Sequence, residues 1–209
     1  MSVATAGIGI FLNLGVPRPP QKQNGGFLVW GGSSSVGSAA VQIAASLGFT
    51  VYAVAGARNH DYVKSLGATE VFDYNQPDIA ENIISAAKAA GMAIKHVYDA
   101  ISAQGSAPQC AAVLEAFGGG DLVITLPWPD DAKKPASVAV QNTAAFRVTT
   151  DQRDLGRWLF NDWLESALAE KTYVPSPAIE KIDGGLASVQ KTLDRLARGV
   201  SGVKLVIPL

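Results

Sequence analysis

Sulfur and imidazole are nearly missing from this chain. Its 209 residues include one cysteine, Cys110, and two histidines, His60 and His96. A single cysteine cannot close an internal disulfide, so the chain is no disulfide scaffold and fits a reducing, cytoplasmic setting. So few thiol and imidazole ligands leave no zinc spacing, and no metal is expected. An excess of one charge sign is lacking too, since 17 Lys and Arg against 18 Asp and Glu give a net charge of −1. Without a basic field, neither nucleic acid nor an anionic membrane is expected as a partner. Long apolar runs are also absent. The stretch from Met1 to Leu14 is apolar, but it falls short of the ~20 residues a spanning helix needs and has no cationic n-region. It reads as a helix packed on a domain, not as a signal peptide.

What the chain does have is a strand that runs through a glycine–serine turn into a helix. Phe27-Leu-Val-Trp30 reads as a buried strand and Gly31 to Gly37 as the turn. Ala39, Ala40, Val41, Ile43, Ala44, Ala45 and Leu47 follow as a helix packed on a sheet. Such a turn aims backbone N–H groups and the positive helix end at one spot, which suits a phosphate or pyrophosphate. Of the usual dinucleotide fingerprint, Gly31 takes the tight turn and Gly37 the close helix–strand contact, while the middle position falls on Ser34. Serine there narrows the backbone approach, but Ser33, Ser34 and Ser35 offer hydroxyls to phosphate oxygens.

Thr50 to Ala55 is a second strand, closing a strand–helix–strand unit of roughly 30 residues. An NAD binder ends that strand with an acid for the ribose 2′-hydroxyl. Here the chain reads Ala55-Gly56-Ala57-Arg58-Asn59. No acid is present, and Arg58 is placed to pair with a 2′-phosphate. Its competing role is a solvated arginine at a helix start; the missing acid selects NADP(H).

Beyond Ala55, helices and strands alternate. Helices are expected at Asp61 to Leu66, Ile79 to Ala90 and Ser106 to Phe117, and strands at Thr69 to Phe72, His96 to Ala100 and Leu122 to Leu126. This predicts an α/β fold, a doubly wound, mostly parallel Rossmann sheet of about six strands with helices on both faces. Gly31–Ser38, Ala55–Asn59, Ala100–Ser102 and Leu126–Pro127 should then face one crevice. Ser137 to Phe146 reads as a sixth, edge strand, and Asp151 as the N-cap of a long helix through Trp158, Leu159, Trp163, Leu164 and Leu168. Gly184-Gly185 opens a last helix with Leu186, Val189, Leu193 and Leu196 on one face, and Val203 to Ile207 is a final strand. The chain thus divides into a helix and loop (1–26), a nucleotide-binding core (27–150) and a C-terminal segment (151–209) completing the same domain.

The glycine turn, Leu66-Gly-Ala68, Val71-Phe-Asp-Tyr74 and Ser201-Gly-Val-Lys-Leu-Val206 together resemble the medium-chain dehydrogenase/reductases over nearly the whole chain. Within these the chain is most similar to the quinone-reductase-like branch, and there to the fungal trans-acting enoyl reductases that work with polyketide synthases. Val3-Ala-Thr-Ala-Gly-Ile8 is similar to the helix those proteins place before their nucleotide domain. The resemblance implies NADP(H) as cofactor. Gly31, Gly32, Ser33, Ser34, Ser35, Val36 and Gly37 would hold the pyrophosphate, and Gly56, Arg58 and Asn59 the 2′-phosphate. Tyr74 would meet the adenine ribose or its phosphate. Ile101 would pack beside the nicotinamide ribose, Leu126 and Pro127 near the nicotinamide, and Val200 and Ser201 over the cofactor.

It further implies zinc-independent reduction of an activated C=C or C=O in a small-molecule substrate, in the enoyl reductases an α,β-unsaturated thioester. A partner enzyme such as a polyketide synthase is implied, with a homodimer through Ser137 to Phe146. Family members carry, ahead of the nucleotide domain, a barrel-like domain that covers the nicotinamide and shapes the substrate cleft. The resemblance starts where that domain ends, so a partner chain is expected to supply the lid. No catalytic residue is identified, and Tyr98, Thr125 and the two histidines are the only proton-donor candidates. A cyclase or isomerase in the same cleft, or a nucleotide-binding module without activity, stand as alternatives.

Overall fold

A computed structural model describes all 209 residues. Six strands form one parallel sheet: β1 (Gly26–Trp30), β2 (Thr50–Val54), β3 (Glu70–Phe72), β4 (Ile94–Asp99), β5 (Gly120–Ile124) and β6 (Val138–Asn142). Their order is β3-β2-β1-β4-β5-β6, with every neighbouring pair parallel. The sequence therefore reverses direction across the sheet between β1 and β4, the switch point at which doubly wound folds open a crevice.

Buried parallel strands read as apolar runs because both faces are covered. In β1, Phe27 and Val29 face one layer and Leu28 and Trp30 the other, all buried. The first layer holds α1 (Ser2–Gly7), which continues as a π-helical stretch Ile8–Asn13, and α2 (Ser35–Ser46). Short α3 (His60–Ser65) flanks β2 and β3. The second layer holds α4 (Ile79–Ala89) and α5 (Ser106–Ala116), whose Ile83, Ala87, Cys110 and Leu114 are buried against the sheet. Each large aliphatic or aromatic side chain so buried contributes about 1.5–3 kcal/mol.

The ends of β1 to β5 differ from the expected ones by up to two residues, and the end of β6 by four. β4 begins at Ile94 and ends at Asp99, and β5 ends at Ile124. The sixth strand stops at Asn142, because Thr143 donates its hydroxyl to the Thr5 carbonyl (2.9 Å) and a 3₁₀ turn, Ala145–Thr149, follows. Asp151 is not the expected N-cap. Its carboxylate is drawn to Arg147, which holds it well below the usual carboxylate range, and Gln152 stands at the helix start. The helix then runs through α6 (Arg153–Arg157), a π stretch Trp158–Leu164, and α7 (Glu165–Ala169). Trp158 meets Phe11 edge-on at 5.0 Å, and Trp163 meets Tyr173 at 5.7 Å, so these aromatics pack.

The final strand does not join the main sheet. β8 (Val203–Val206) pairs in parallel with β7 (Ala178–Lys181), a strand not expected from the sequence, with α8 (Val189–Ala197) between them. Leu186, Val189, Leu193 and Leu196 do share a face, but that face is uncovered: Leu186 is 75% and Leu193 51% exposed. From 178 to 206 only Ser188 and Thr192 are buried. Polar pins hold this unit's approach to the sheet. Gln42 of α2 donates to the Val174 carbonyl (3.1 Å) and accepts from the Val174 N–H (2.7 Å).

Candidate functional site

The C-terminal ends of β1, β2 and β4 open on a cleft of about 740 Å³, within the range of small-molecule sites. Its floor is the turn after β1. The Gly31 and Gly32 N–H groups both donate to the Val54 carbonyl (2.9 Å each), which folds the turn across the end of β2. Gly31 has φ +80°, and a Cβ there would overlap the Ile101 side chain. Ser34 is the N-cap of α2, its Oγ accepting from the Gly37 N–H at 3.0 Å. The N–H groups of Ser33, Ser35 and Val36 have no protein acceptor. Unpaired donors at a helix start favour an anion.

One side wall carries Ala55, Arg58, Tyr74 and Asn75; the other carries Ile101, Ala103, Gln104 and Gln109. Arg198 to Gly202, the turn entering β8, completes the lining. Arg58 has no ion-pair or hydrogen-bond partner, and Arg198 binds only the Asp194 carbonyl (3.2 Å). No Asp or Glu lines the cleft. Two guanidiniums thus face it without a carboxylate to neutralise them.

Buried Asp99 holds the Ile101–Gln104 wall in place. Its carboxylate accepts from the Ile101 N–H (3.0 Å), the Ser102 N–H (2.8 Å) and the Ser106 hydroxyl (2.6 Å). Burial pushes the carboxyl above its ordinary value, and these three bonds pull it back. Ser102 in turn accepts from the Thr125 N–H (2.8 Å), tying the ends of β4 and β5 together. Ser102 and Gln104 have φ of +51° and +56°, a conformation that costs a non-glycine residue of order 1 kcal/mol or more and needs such bracing. Asp99→Ala leaves three donors unpaired, two of them buried, and should lower unfolding free energy by roughly 2–5 kcal/mol in urea titration. An unchanged midpoint would show that the bonds do not brace the wall.

The structure brings Gly31, Ser33, Ser34, Arg58, Tyr74, Ile101, Val200 and Ser201 to the lining. Other expected residues stand behind it. Gly32 and Gly37 are buried under the turn, Val36 is half-buried in α2, and Ser35 accepts from the Ser2 hydroxyl (2.9 Å). Gly56 leaves room for the Tyr74 hydroxyl, and Asn59 is 9% exposed and bonded to Ser33 and Ser201. Leu126 and Pro127 lie beyond the end of β5, exposed and off the lining. Sequence reasoning missed Trp30, Asn75, Ala103, Gln104, Gln109 and Arg198. For Arg198 a signal existed, since it directly precedes the Gly199–Gly202 turn.

The proton-donor candidates fare poorly. Tyr98 is fully buried, donates to the Thr5 carbonyl (2.9 Å) and has its hydroxyl pKa pushed far up by burial. His96 sits near the N-terminal end of β4 beside Asp121 (3.8 Å), away from the cleft, and burial lowers its pKa. His60 faces the Ala55 carbonyl (3.2 Å), and Thr125 contacts Ser102 (3.2 Å). Cys110 is no thiolate nucleophile, because burial and then Asp99 push its thiol well above the ordinary value.

Residues 35–153 match the family described as zinc-binding dehydrogenase. The chain belongs to this family. It carries the medium-chain dehydrogenase/reductase nucleotide-binding fold. A trans-enoyl reductase of Aspergillus japonicus, himH, is 32% identical over 212 residues, covering all of this chain and 60% of that protein. Another from Aspergillus flavipes, tndF, is 33% identical over 213 residues, covering 100% and 61%. This dehydrogenase-family chain thus spans about three fifths of the length of these curated relatives. Among solved structures, the CurK enoyl reductase superposes with a TM-score of 0.77 at 19% identity, over all of this chain and 60% of that one. Despite the family's description, no group of three or more His, Cys, Asp or Glu side chains could hold a metal ion here. The residues do not fit zinc. No helix is long and apolar enough to cross a membrane.

Proposed function

We propose that this chain binds NADP(H) and serves as the nucleotide-binding part of an NADPH-dependent, zinc-independent oxidoreductase of the enoyl-reductase kind. The observation that carries this reading is the pairing of Arg58 and Arg198 in a cleft with no carboxylate, beside the unpaired N–H groups of the α2 start. A dinucleotide with one extra phosphate satisfies both features; one without it leaves the arginines unanswered. The reduced nucleotide supplies hydride when bound. The chain's own residues bind and orient it: the turn at Ser33 and Ser34 takes the pyrophosphate, Arg58 and Arg198 the 2′-phosphate, and the Asp99-braced wall positions Ile101 against the turn. The names of the relatives support an activated C=C in the substrate; a partner enzyme, such as a polyketide synthase, belongs to the same proposal through the family resemblance.

Calorimetric titration with NADPH, and with NADH as control, tests the reading. Micromolar NADPH binding at least ~10-fold tighter than NADH, a gap of 1.4 kcal/mol, is expected. Equal affinities would remove the NADP assignment. Binding without oxidation of NADPH by any enone or thioester, even beside a partner, would identify a module without activity.

β6 is an edge strand with Ala139, Gln141 and Asn142 exposed, and open edges invite pairing. The proposal therefore includes a homodimer through β6. Light scattering should give the mass of two chains, reduced to one by Val140→Lys; a single-chain mass for the unaltered protein would rule the dimer out.

A further inference from the structure

Asn59 ends the 3₁₀ turn after β2 and is 9% exposed, behind the cleft wall and off its lining. Its side-chain amide nitrogen donates one hydrogen to Ser201 Oγ (2.7 Å) and the other toward Ser33 Oγ (3.4 Å). Both serines line the cleft, from opposite ends of the chain. Gly202, at φ +67°, brings its turn so close that a Cβ would stand 2.8 Å from Asn59 Oδ1. The approach of the last turn to Asn59 is therefore built into the backbone.

A hydroxyl has one proton and two lone pairs. At Ser33 and at Ser201 a lone pair is taken by Asn59, and neither hydroxyl donates to any protein acceptor. Each oxygen is thus committed as an acceptor toward the protein, and its proton is left for whatever enters the cleft. We propose that Asn59 is a positioning residue that turns the Ser33 and Ser201 hydroxyl protons toward a bound phosphate without touching it. This goes beyond the NADP(H) reading and rests on it. Asn59 serves anion recognition by fixing the polarity of two donors, one from the phosphate turn and one from the turn that closes over it.

The test is a mutant cycle in NADPH affinity, with thermal unfolding measured alongside. Asn59→Ala should weaken binding about tenfold, the worth of one hydrogen bond to a charged group. In a Ser33→Ala/Ser201→Ala background it should change affinity less than twofold, because the residue acts only through those hydroxyls. Equal losses in both backgrounds would overturn the proposal in favour of direct ligand contact, and no loss in either would reduce Asn59 to packing. Asn59→Asp guards against a folding failure. Its carboxylate can accept from both hydroxyls and keep the two turns joined, yet it draws their protons out of the cleft. It should retain the melting temperature and bind more weakly than Asn59→Ala in the unaltered background. Affinity equal to the unaltered protein's would overturn the proposal. Failure of the unaltered protein to bind NADPH would instead overturn the cofactor reading itself, and this inference with it.

Discussion

Gly37→Ala should weaken nucleotide binding severely. A Cβ at this position would overlap the Gly31 carbonyl oxygen, which is backbone and accepts the Ser34 N–H at 2.9 Å. That oxygen cannot swing aside as a flexible side chain would. Moving it breaks the Ser34 bond and displaces the serine whose Oγ caps the Gly37 N–H at 3.0 Å. The turn and the start of α2 therefore shift together, and the unpaired N–H groups lose their common aim. Overpacking of this kind costs about 1–3 kcal/mol in stability. NADPH affinity should fall at least ~100-fold, equivalent to about 2.7 kcal/mol. Calorimetric titration at a temperature well below the lowered melting point checks it. Affinity within threefold of the unaltered protein's would show that the turn does not hold the nucleotide.

Removing both cleft arginines should erase the preference for NADPH over NADH. Arg58 and Arg198 have no carboxylate partner, so neither is already neutralised and each is free to bind phosphate. A guanidinium–phosphate pair joins a full charge to a forked donor set, stronger than a neutral hydrogen bond. Arg58→Ala/Arg198→Ala should bring NADPH down to the NADH level, a loss of at least ~10-fold, and leave NADH within a factor of two or so, since charge-assisted bonds are worth about 1.5–3 kcal/mol each. The loss should shrink as salt rises, because the screening length falls from about 10 Å at ~0.1 M to about 3 Å at ~1 M, near contact distance. A preference that survives both substitutions would place discrimination elsewhere in the cleft.

The inner strands of the main sheet were legible because they are buried on both faces and therefore spell short apolar runs between helical periods. The glycine–serine turn after β1 was legible for a local reason, since only glycine tolerates the Gly31 conformation and the Gly37 contact. β7 was not legible: Ala178–Lys181 is four residues long, mostly exposed and without an apolar run. Leu126 and Pro127 were expected in the crevice; β5 ends at Ile124, and both residues follow it exposed and off the lining. Asp151 had the right type for a cap, but a nearby arginine competed for its carboxylate. Asn59 was expected beside the 2′-phosphate, and the structure adds bonds from its amide to Ser33 and Ser201. Which hydroxyls a buried amide meets depends on Ser201, distant in sequence, and no periodicity carries that.

The unit formed by β7, α8 and β8 has almost no interior of its own. Its strand pair and helix hold their shape through local bonds and through Gln42 and Asn59, so they should open to hydrogen exchange well before the six-stranded sheet does. The Gly199–Gly202 turn of that unit is also cleft lining. A nucleotide seated there binds the closed form and not the open one. At 100 times its dissociation constant, it adds about 2.7 kcal/mol to the cost of opening. The least protected part of the chain is thus the part whose protection depends most on occupancy.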